Sequence, residues 1–216
     1  MVTATGELLD VDERLHPDLL WAIRGAGQFF GLITKLVVRA YPFSELGNNR
    51  GVIWTGSFVF PQARAKEVAL VMKSLMDDSS RATAGLMMVI APPPHRNPSL
   101  VIAARFIGNP ADAEAAYKPL YDLKPIIAAG KEIPIQDASD GREAIGAKGD
   151  FKHFGVVGLQ CFDVDSYLET IQIWKSLIAE CPDAIETAFM FQWDSRFAKN
   201  PGFDSATCLH DIRYWQ

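Results

Sequence analysis

The chain has 216 residues, of which 49% are hydrophobic and 22% charged, a balance typical of a folded globular protein. Its net charge of −5 and acidic pI near 5.4 disfavour a nucleic-acid partner, because binding a phosphate backbone needs a clustered basic face. No apolar run is long enough to span a bilayer, so the sequence predicts no membrane association. The N-terminus lacks the basic and apolar parts of a secretory signal, and we therefore expect a cytoplasmic location.

The N-terminal part predicts a hairpin, a helix and a strand. Residues 2–10 have the pattern of two short strands that turn at Gly6. A helix is predicted from Pro17 to Gly25, and residues 30–41 are predicted to form a strand. A dinucleotide-binding loop has the reverse order, with the strand before the glycines and the helix after them. The sequence therefore excludes a Rossmann loop here.

The rest of the chain alternates between predicted strands and helices. The predicted strands cover residues 53–60, 85–91, 100–107, 154–162, 185–194 and 206–214, and predicted helices begin at Pro61, Asn109 and Asp163. Residues 118–150 predict irregular chain. Most strand pairs are joined too tightly for parallel crossovers. The predicted fold class is therefore α+β, an antiparallel sheet with helices packed on one face.

The other face of such a sheet is free for a ligand, and strand alternation predicts which residues lie on it. The candidate catalytic hydrogen-bond donors are Arg105, Gln160, Gln192 and His210, which we place together with Tyr214 on one mixed face. The candidate substrate-binding residues are Trp54, Phe58, Phe191, Trp193 and Tyr214. Apolar walls with a few converging polar groups are typical of a small-molecule site, although isolated polar residues on a sheet face are also often only solvated. No metal-ligand motif is present in the sequence.

Residues 21–34 carry the most specific pattern in the chain, Trp-Ala-x-Arg-Gly-x-Gly-x-x-Phe-Gly-x-x-Thr, which follows Val-Thr-Ala-Thr-Gly-Glu-Leu-Leu at residues 2–9. This sequence pattern resembles the end of the flavin domain in FAD-linked oxidases of the berberine-bridge-enzyme-like family. The resemblance continues more loosely through residues 55–61 to residues 210–216. It implies a remnant of an FAD-binding domain at residues 1–43 and a substrate-binding-type α+β domain at residues 52–216.

The resemblance also implies a cofactor and a ligand. In the family, backbone equivalent to Gly31, Leu32 and Ile33 approaches the adenine end of FAD, so these three residues are the candidate cofactor contacts. Most family contacts to FAD come from a region that precedes the part resembled here. We therefore expect no flavin bound by this chain alone, or FAD if the family role is retained.

The sequence favours the first of three functions and leaves the other two as alternatives. The first is a flavin-free relative that binds an apolar small molecule of natural-product type and catalyses a non-redox cyclisation or cycloaddition by holding one reactive conformer. The second is a part of an FAD-dependent oxidoreductase that oxidises a small molecule. The third is a non-catalytic binding protein. In each case we expect a homodimer, or a partner chain that covers exposed apolar surface.

Overall fold

The computed structural model describes residues 1–140, 153–196, 205–207 and 212–216. These residues form two compact units. The first unit contains Met1–Tyr41 and residues 205–207, and the second contains residues 42–140, 153–196 and 212–216. His210, one of the candidate donors, lies outside the described residues.

The first unit is built around Val2. Val2 forms antiparallel bridges with Leu8 and with Leu32, so the predicted hairpin at residues 2–10 is present as a short turn. Helix α1 (Pro17–Ala26) follows, as the proline at its start predicts, and continues into a single 3₁₀ turn. Residues 205–207 pack against this helix, where the Ala206 N–H donates to the Trp21 carbonyl at 3.0 Å.

Residues 33–41 do not form the predicted strand. Leu32 makes an isolated bridge, but no ladder continues beyond it in the described structure. The side chain of Val37 is 88% exposed, and Leu36 and Val38 are similarly open. An apolar alternating pattern shows that a segment suits a sheet, whereas a strand forms only where a neighbouring strand accepts its hydrogen bonds. The pattern was present here and the neighbour is not among the described residues.

The second unit contains a seven-stranded antiparallel sheet with the order β4-β1-β3-β2-β6-β7-β5. Its strands are β1 (Val52–Pro61), β2 (Thr83–Ile90), β3 (Ser99–Phe106), β4 (Ile127–Pro134), β5 (Gly158–Leu159), β6 (Phe189–Asp194) and β7 (Tyr214–Trp215). The predicted strands at β1, β2, β3 and β6 are confirmed. The strand predicted at residues 154–162 is wrong except at β5, and β4 falls in the stretch predicted to be irregular.

The described part of this unit also contains the helices α2 (Ala65–Asp77), α3 (Ala113–Ala116), α4 (Lys118–Asp122) and α5 (Val164–Glu180). The longest, α5, begins where Asp163 accepts a hydrogen bond from the Ser166 N–H at 2.8 Å, a standard N-terminal cap. Short 3₁₀ turns occupy Gly27–Phe29, Phe43–Leu46, Gln62–Arg64, Ser79–Arg81, Pro110–Asp112, Ile135–Asp137 and Pro182–Glu186. Among the described helices, none has the length and apolarity to cross a bilayer.

The core lies between these helices and one face of the sheet. Helix α2 contributes a buried stripe that includes Val68, Met72 and Leu75, as its apolar spacing predicts. In β3, residues 100, 102, 104 and 106 are buried and the residues between them are half-buried, which confirms the predicted alternation. The fold class is therefore as predicted, an α+β arrangement with the helices on one face.

Candidate functional site

The sheet face opposite the helices, here called the open face, carries three rows of side chains set by strand register. The first, the polar row, consists of Lys131 on β4, Thr55 on β1, Arg105 on β3, Ala84 on β2 and Asp194 on β6. Directly paired residues of neighbouring strands point to the same face, so these side chains lie side by side. Thr55 and Arg105 are half-buried, whereas Lys131 and Asp194 are exposed.

The second, the middle row, lies two residues further along each strand. It contains Ala129, Ser57, Ala103, Leu86, Gln192 and Trp215 in spatial order. The row is small and flat over β4, β1 and β3 and is bounded by the larger Leu86 and Trp215. Trp215 is half-buried beside the exposed amide of Gln192. Sequence reasoning missed Trp215, because only the pairing of β6 with β7 shows that it shares a face with Gln192.

The third, the apolar row, consists of Ile127, Val59, Val101, Met88 and Met190. Four of these residues are half-buried, and Ile127 on the edge strand is exposed. The open face thus changes from charged to apolar along the strand direction. Such a surface combines apolar contact area with a few polar groups, which is the composition that small-molecule sites need.

Arg105 is held in place by the chain that follows β4. Its guanidinium donates to the carbonyl of Ala138, just after the 3₁₀ turn Ile135–Asp137. Beneath the strand, the hydroxyl of Tyr117 donates to the Arg105 carbonyl and lies 3.3 Å from that of Ala84. Burial raises the pKa of Tyr117 far above its usual value, so this hydroxyl stays protonated. Arg105 therefore presents its charge from a fixed backbone.

The five candidate substrate-binding aromatics do not line the open face. Trp54, Phe58, Phe191, Trp193 and Tyr214 are all buried in the core on the helix side. Trp54 stacks on Tyr117 with ring centroids 5.2 Å apart. Large rings gain most from full burial against the helices, and strand alternation then places the neighbouring Gln192 on the opposite face. The structure therefore separates the predicted walls from the predicted donors.

Tyr214 was expected on the mixed face, but the structure places it on the helix side. Its ring packs on Phe191, with centroids 5.4 Å apart, and its hydroxyl lies 3.5 Å from Asp77 on α2. Burial is the main cause that raises the pKa of Tyr214 to about 12. Side chains alternate between the two faces along the short strand β7. Because Trp215 occupies the open face, the preceding Tyr214 lies on the helix side.

The remaining candidate donors have different surroundings. Gln192 lies in the middle row, as the alternation predicted. Gln160 is exposed on a bend directly after β5, so it is not held by the sheet ladder. His210 lies outside the described residues, and its role stays a prediction. The structure therefore brings together only Arg105 and Gln192 of the four.

The candidate cofactor contacts Gly31, Leu32 and Ile33 form a segment that pairs with Val2 through Leu32. Both backbone polar groups of Leu32 are used in 2.8 Å hydrogen bonds with Val2. Gly31 has φ +141°, and a Cβ there would lie 2.3 Å from the Val2 carbonyl oxygen, so the glycine serves this close pairing. A diphosphate needs several oriented donors or cations, and these three residues do not supply them. They do not by themselves fit FAD.

Comparison with known proteins gives a consistent group of relatives. The chain is 23% identical over 186 residues to the FAD-linked oxidoreductase hasG of Aspergillus fumigatus, covering 84% of this chain and 38% of hasG. It is 30% identical over 134 residues to the FAD-linked oxidoreductase fmqD of the same species, covering 62% of this chain and 26% of fmqD. With the FAD-linked oxidoreductase afoF of Emericella nidulans it shares 27% identity over 208 residues, covering 93% of this chain and 40% of afoF. No family model matches the chain.

Two solved structures share the fold over 99% of the chain. One is the carbohydrate oxidase from Microdochium nivale, with a TM-score of 0.57 and 18% identity over 46% of that chain. The other is the berberine-bridge-enzyme-like protein 28 from Arabidopsis thaliana, with a TM-score of 0.63 and 15% identity over 45% of that chain.

The fold and the relatives together define the class. The chain has the fold of part of a berberine-bridge-enzyme-like protein, as its sequence resemblance predicted. It is a partial relative of the FAD-linked oxidoreductases and spans 26–41% of the length of the curated relatives it matches.

Proposed function

We propose that this chain supplies the substrate-holding sheet of an FAD-linked oxidoreductase that acts on an apolar small molecule of natural-product type. The observation that carries the proposal is the open face, where half-buried apolar side chains adjoin the fixed Arg105 and the amide of Gln192. The names of the relatives support the redox class. The substrate's rings would lie over the small residues Ser57 and Ala103, with Trp215 at the side.

In this proposal the diphosphate of the flavin is held by residues other than Gly31, Leu32 and Ile33, because the backbone groups of Leu32 are already bonded to Val2 and Gly31 serves that close pairing. A flavin-free relative that promotes a cyclisation through Arg105 and Gln192 is the second candidate, and the same observation favours it. Visible absorption of the purified chain after incubation with excess FAD and desalting tests whether this chain retains the cofactor by itself. Retained flavin absorbance supports the redox function in this chain alone, and a colourless protein favours either a missing flavin-holding partner or the flavin-free function.

Ligand binding on the open face is tested by NMR of protein labelled with [¹³C-methyl]methionine. Met88 and Met190 lie in the apolar row of the open face, while Met72, Met76 and Met87 are fully buried on the helix side. Adding a neutral planar aromatic, 2-(hydroxymethyl)anthracene, is expected to shift the first pair of methyl resonances and leave the other three unchanged. Shifts confined to the buried methionines, or no shifts at all, would contradict the proposed site.

A matched pair of variants makes this test specific. Leu86→Arg places a charge in the middle row and is expected to abolish the shifts of Met88 and Met190. Leu70→Arg places the same charge on the outer side of α2, where Leu70 is 53% exposed, and is expected to leave them intact. If both variants lose the ligand-induced shifts of Met88 and Met190 equally, the fold is damaged. If both variants retain these shifts equally, binding on the open face is contradicted.

A further inference from the structure

We infer that the ligand of the open face is an elongated amphiphile with an anionic group at one end of a planar apolar body. The inference rests on the proposed function, since it names the chemical class and the orientation of that ligand. It is carried by the order of the three rows. Along β3 the face changes from Arg105 through Ala103 to Val101. Strands β1 and β4 repeat the change from polar to apolar in register, whereas β2 is apolar at all three positions.

The length of the ligand follows from the strand geometry. The polar and apolar rows are separated by four residues, which is about 13 Å along an antiparallel strand. A molecule that contacts both rows is therefore about as long as three fused rings with one substituent. The small residues Ser57 and Ala103 between the rows leave room for a flat ring system to lie on the sheet.

The charge of the polar end follows from Lys131. Lys131 and Arg105 are the direct register partners of Thr55 on the two neighbouring strands, and because Arg105 already has partners of its own, the charge offered to an anion above Thr55 is that of Lys131. Lys131 forms no ion pair among the described residues. The nearby Glu132 is paired with Arg50 at 2.8 Å and belongs to the opposite phase of β4.

The acidic residue of the same row lies at its far end. Asp194 is two strands beyond Arg105, and its carboxylate accepts from the Arg196 N–H at 2.9 Å. The cationic end of the polar row is therefore the side formed by β4, β1 and β3. The Arg105 guanidinium donates to the carbonyl of Ala138, and the preceding residue, Asp137, is acidic. Lys131 is therefore the cation whose substitution tests the charge of the ligand.

The probes are anthracene-2-carboxylate and its neutral counterpart 2-(hydroxymethyl)anthracene, titrated into the intact chain while the methyl resonances of Met88 and Met190 are followed. We expect the carboxylate to bind about 2- to 5-fold more tightly at low salt, the range of a partly screened charge contact. The preference should shrink as ionic strength rises. Lys131→Gln, which replaces the ammonium with a neutral polar amide, should remove most of the preference without changing the affinity for the alcohol. Lys66→Gln, at an exposed position on α2, should leave both affinities unchanged.

The outcomes separate this inference from the proposed function. Equal affinity for both probes, with Met88 and Met190 shifted, would overturn the anionic class and leave binding on the open face intact. A preference for the carboxylate that survives Lys131→Gln, or falls equally in Lys66→Gln, would overturn the assigned orientation. If neither probe shifts the two methionines, both proposals fail.

Discussion

Tyr117 and Tyr167 are both buried tyrosines of the second unit, but their hydroxyl groups have different surroundings. The Tyr117 hydroxyl bonds to backbone carbonyls of β3 and β2. The Tyr167 hydroxyl is buried with no hydrogen-bond partner among the described residues. A buried hydroxyl without a partner loses its bonds to water and gains nothing in return.

Phenylalanine substitutions at these two positions should therefore have opposite effects on stability. Tyr117→Phe is expected to lower the free energy of unfolding by about 1–2 kcal/mol, because buried carbonyls lose a donor. Tyr167→Phe is expected to raise it by about 1 kcal/mol, because the desolvation penalty of the hydroxyl disappears. Urea unfolding of both variants beside the parent chain measures the difference. Equal destabilisation of the two would show that the unpaired hydroxyl of Tyr167 has found a partner.

Tyr214 gives a prediction for alkaline pH. Burial raises its pKa to about 12, above the usual value of about 10 for an unfolded chain. The folded state thus holds the proton more tightly, and this contribution to stability is complete below about pH 10 and is lost as pH rises toward 12. Burial also raises the pKa of Tyr117 and Tyr167, so the total loss has several sources.

The measurement is thermal unfolding between pH 8 and pH 11.5 for the parent and for Tyr214→Phe. The variant should lose stability less steeply above about pH 10, since one titrating group is gone. A slope equal to that of the parent would mean that Tyr214 ionises freely in the folded chain, contrary to its buried position.

At the scale of elements, the edge of the sheet depends on two glycines paired across β1 and β4. Gly56 pairs with Gly130, and the indole of Trp54 lies over both. A Cβ added at Gly130 would come 2.3 Å from Cζ2 of Trp54. The large ring thus covers backbone that has no side chains of its own and fastens the edge strand to the core.

Gly130→Ala should therefore displace Trp54 and lower the free energy of unfolding by about 1–3 kcal/mol, the usual cost of overpacking. Gly155→Ala is the matched control, because a Cβ at Gly155 meets nothing within 4 Å. Its effect should stay within about 0.5 kcal/mol. Denaturant unfolding followed by tryptophan fluorescence reports both variants, and a neutral Gly130→Ala would show that the indole moves aside without cost.

The same elements show how far the sequence predicts the fold. Period-two alternation and helical spacing identified β1, β2, β3, β6 and the two long helices, because each has one buried face. Strand β4 was missed because an exposed edge strand has no buried face, and its residues Ala129, Gly130 and Lys131 carry little strand propensity. Residues 154–162 have an apolar pattern, but only β5 finds a partner strand.

The candidate site was predictable to a smaller extent. Alternation correctly put Gln192 opposite Trp193, and Arg105 opposite Phe106. Register between distant strands is not readable from one sequence, so Trp215, Thr55 and Lys131 were not recognised as neighbours of these donors. The prediction that the aromatics form ligand walls is wrong, because ring size alone does not reveal which face of a sheet the helices cover.

At the scale of the whole molecule, the first unit carries apolar side chains that the described residues leave uncovered. Leu36, Val37 and Val38 lie on a segment without ladder hydrogen bonds. Monomeric proteins rarely expose contiguous apolar surface of this kind, so we expect the isolated chain to self-associate. Light scattering across a concentration series should show dimers or larger species.

Val37→Lys should shift that equilibrium toward monomer, because it charges a side chain that is already 88% exposed and contributes little to packing. Lys66, on the outer side of α2, offers a control position where Lys66→Glu should have no effect. A chain that stays monomeric at every concentration would contradict the expectation.

The uncovered segment also links the lifetime of the chain to its abundance. Lys35 and Arg39 flank the apolar residues and are exposed, so a trypsin-like protease can cleave on either side. Binding of another polypeptide would protect these bonds by mass action, and protection would grow with the concentration of the partner. A chain made in excess of its partner would then be degraded first, and the half-life under limiting trypsin should lengthen as the protein concentration is raised. The uncovered segment would thus adjust the amount of protein to the amount of its binding partner.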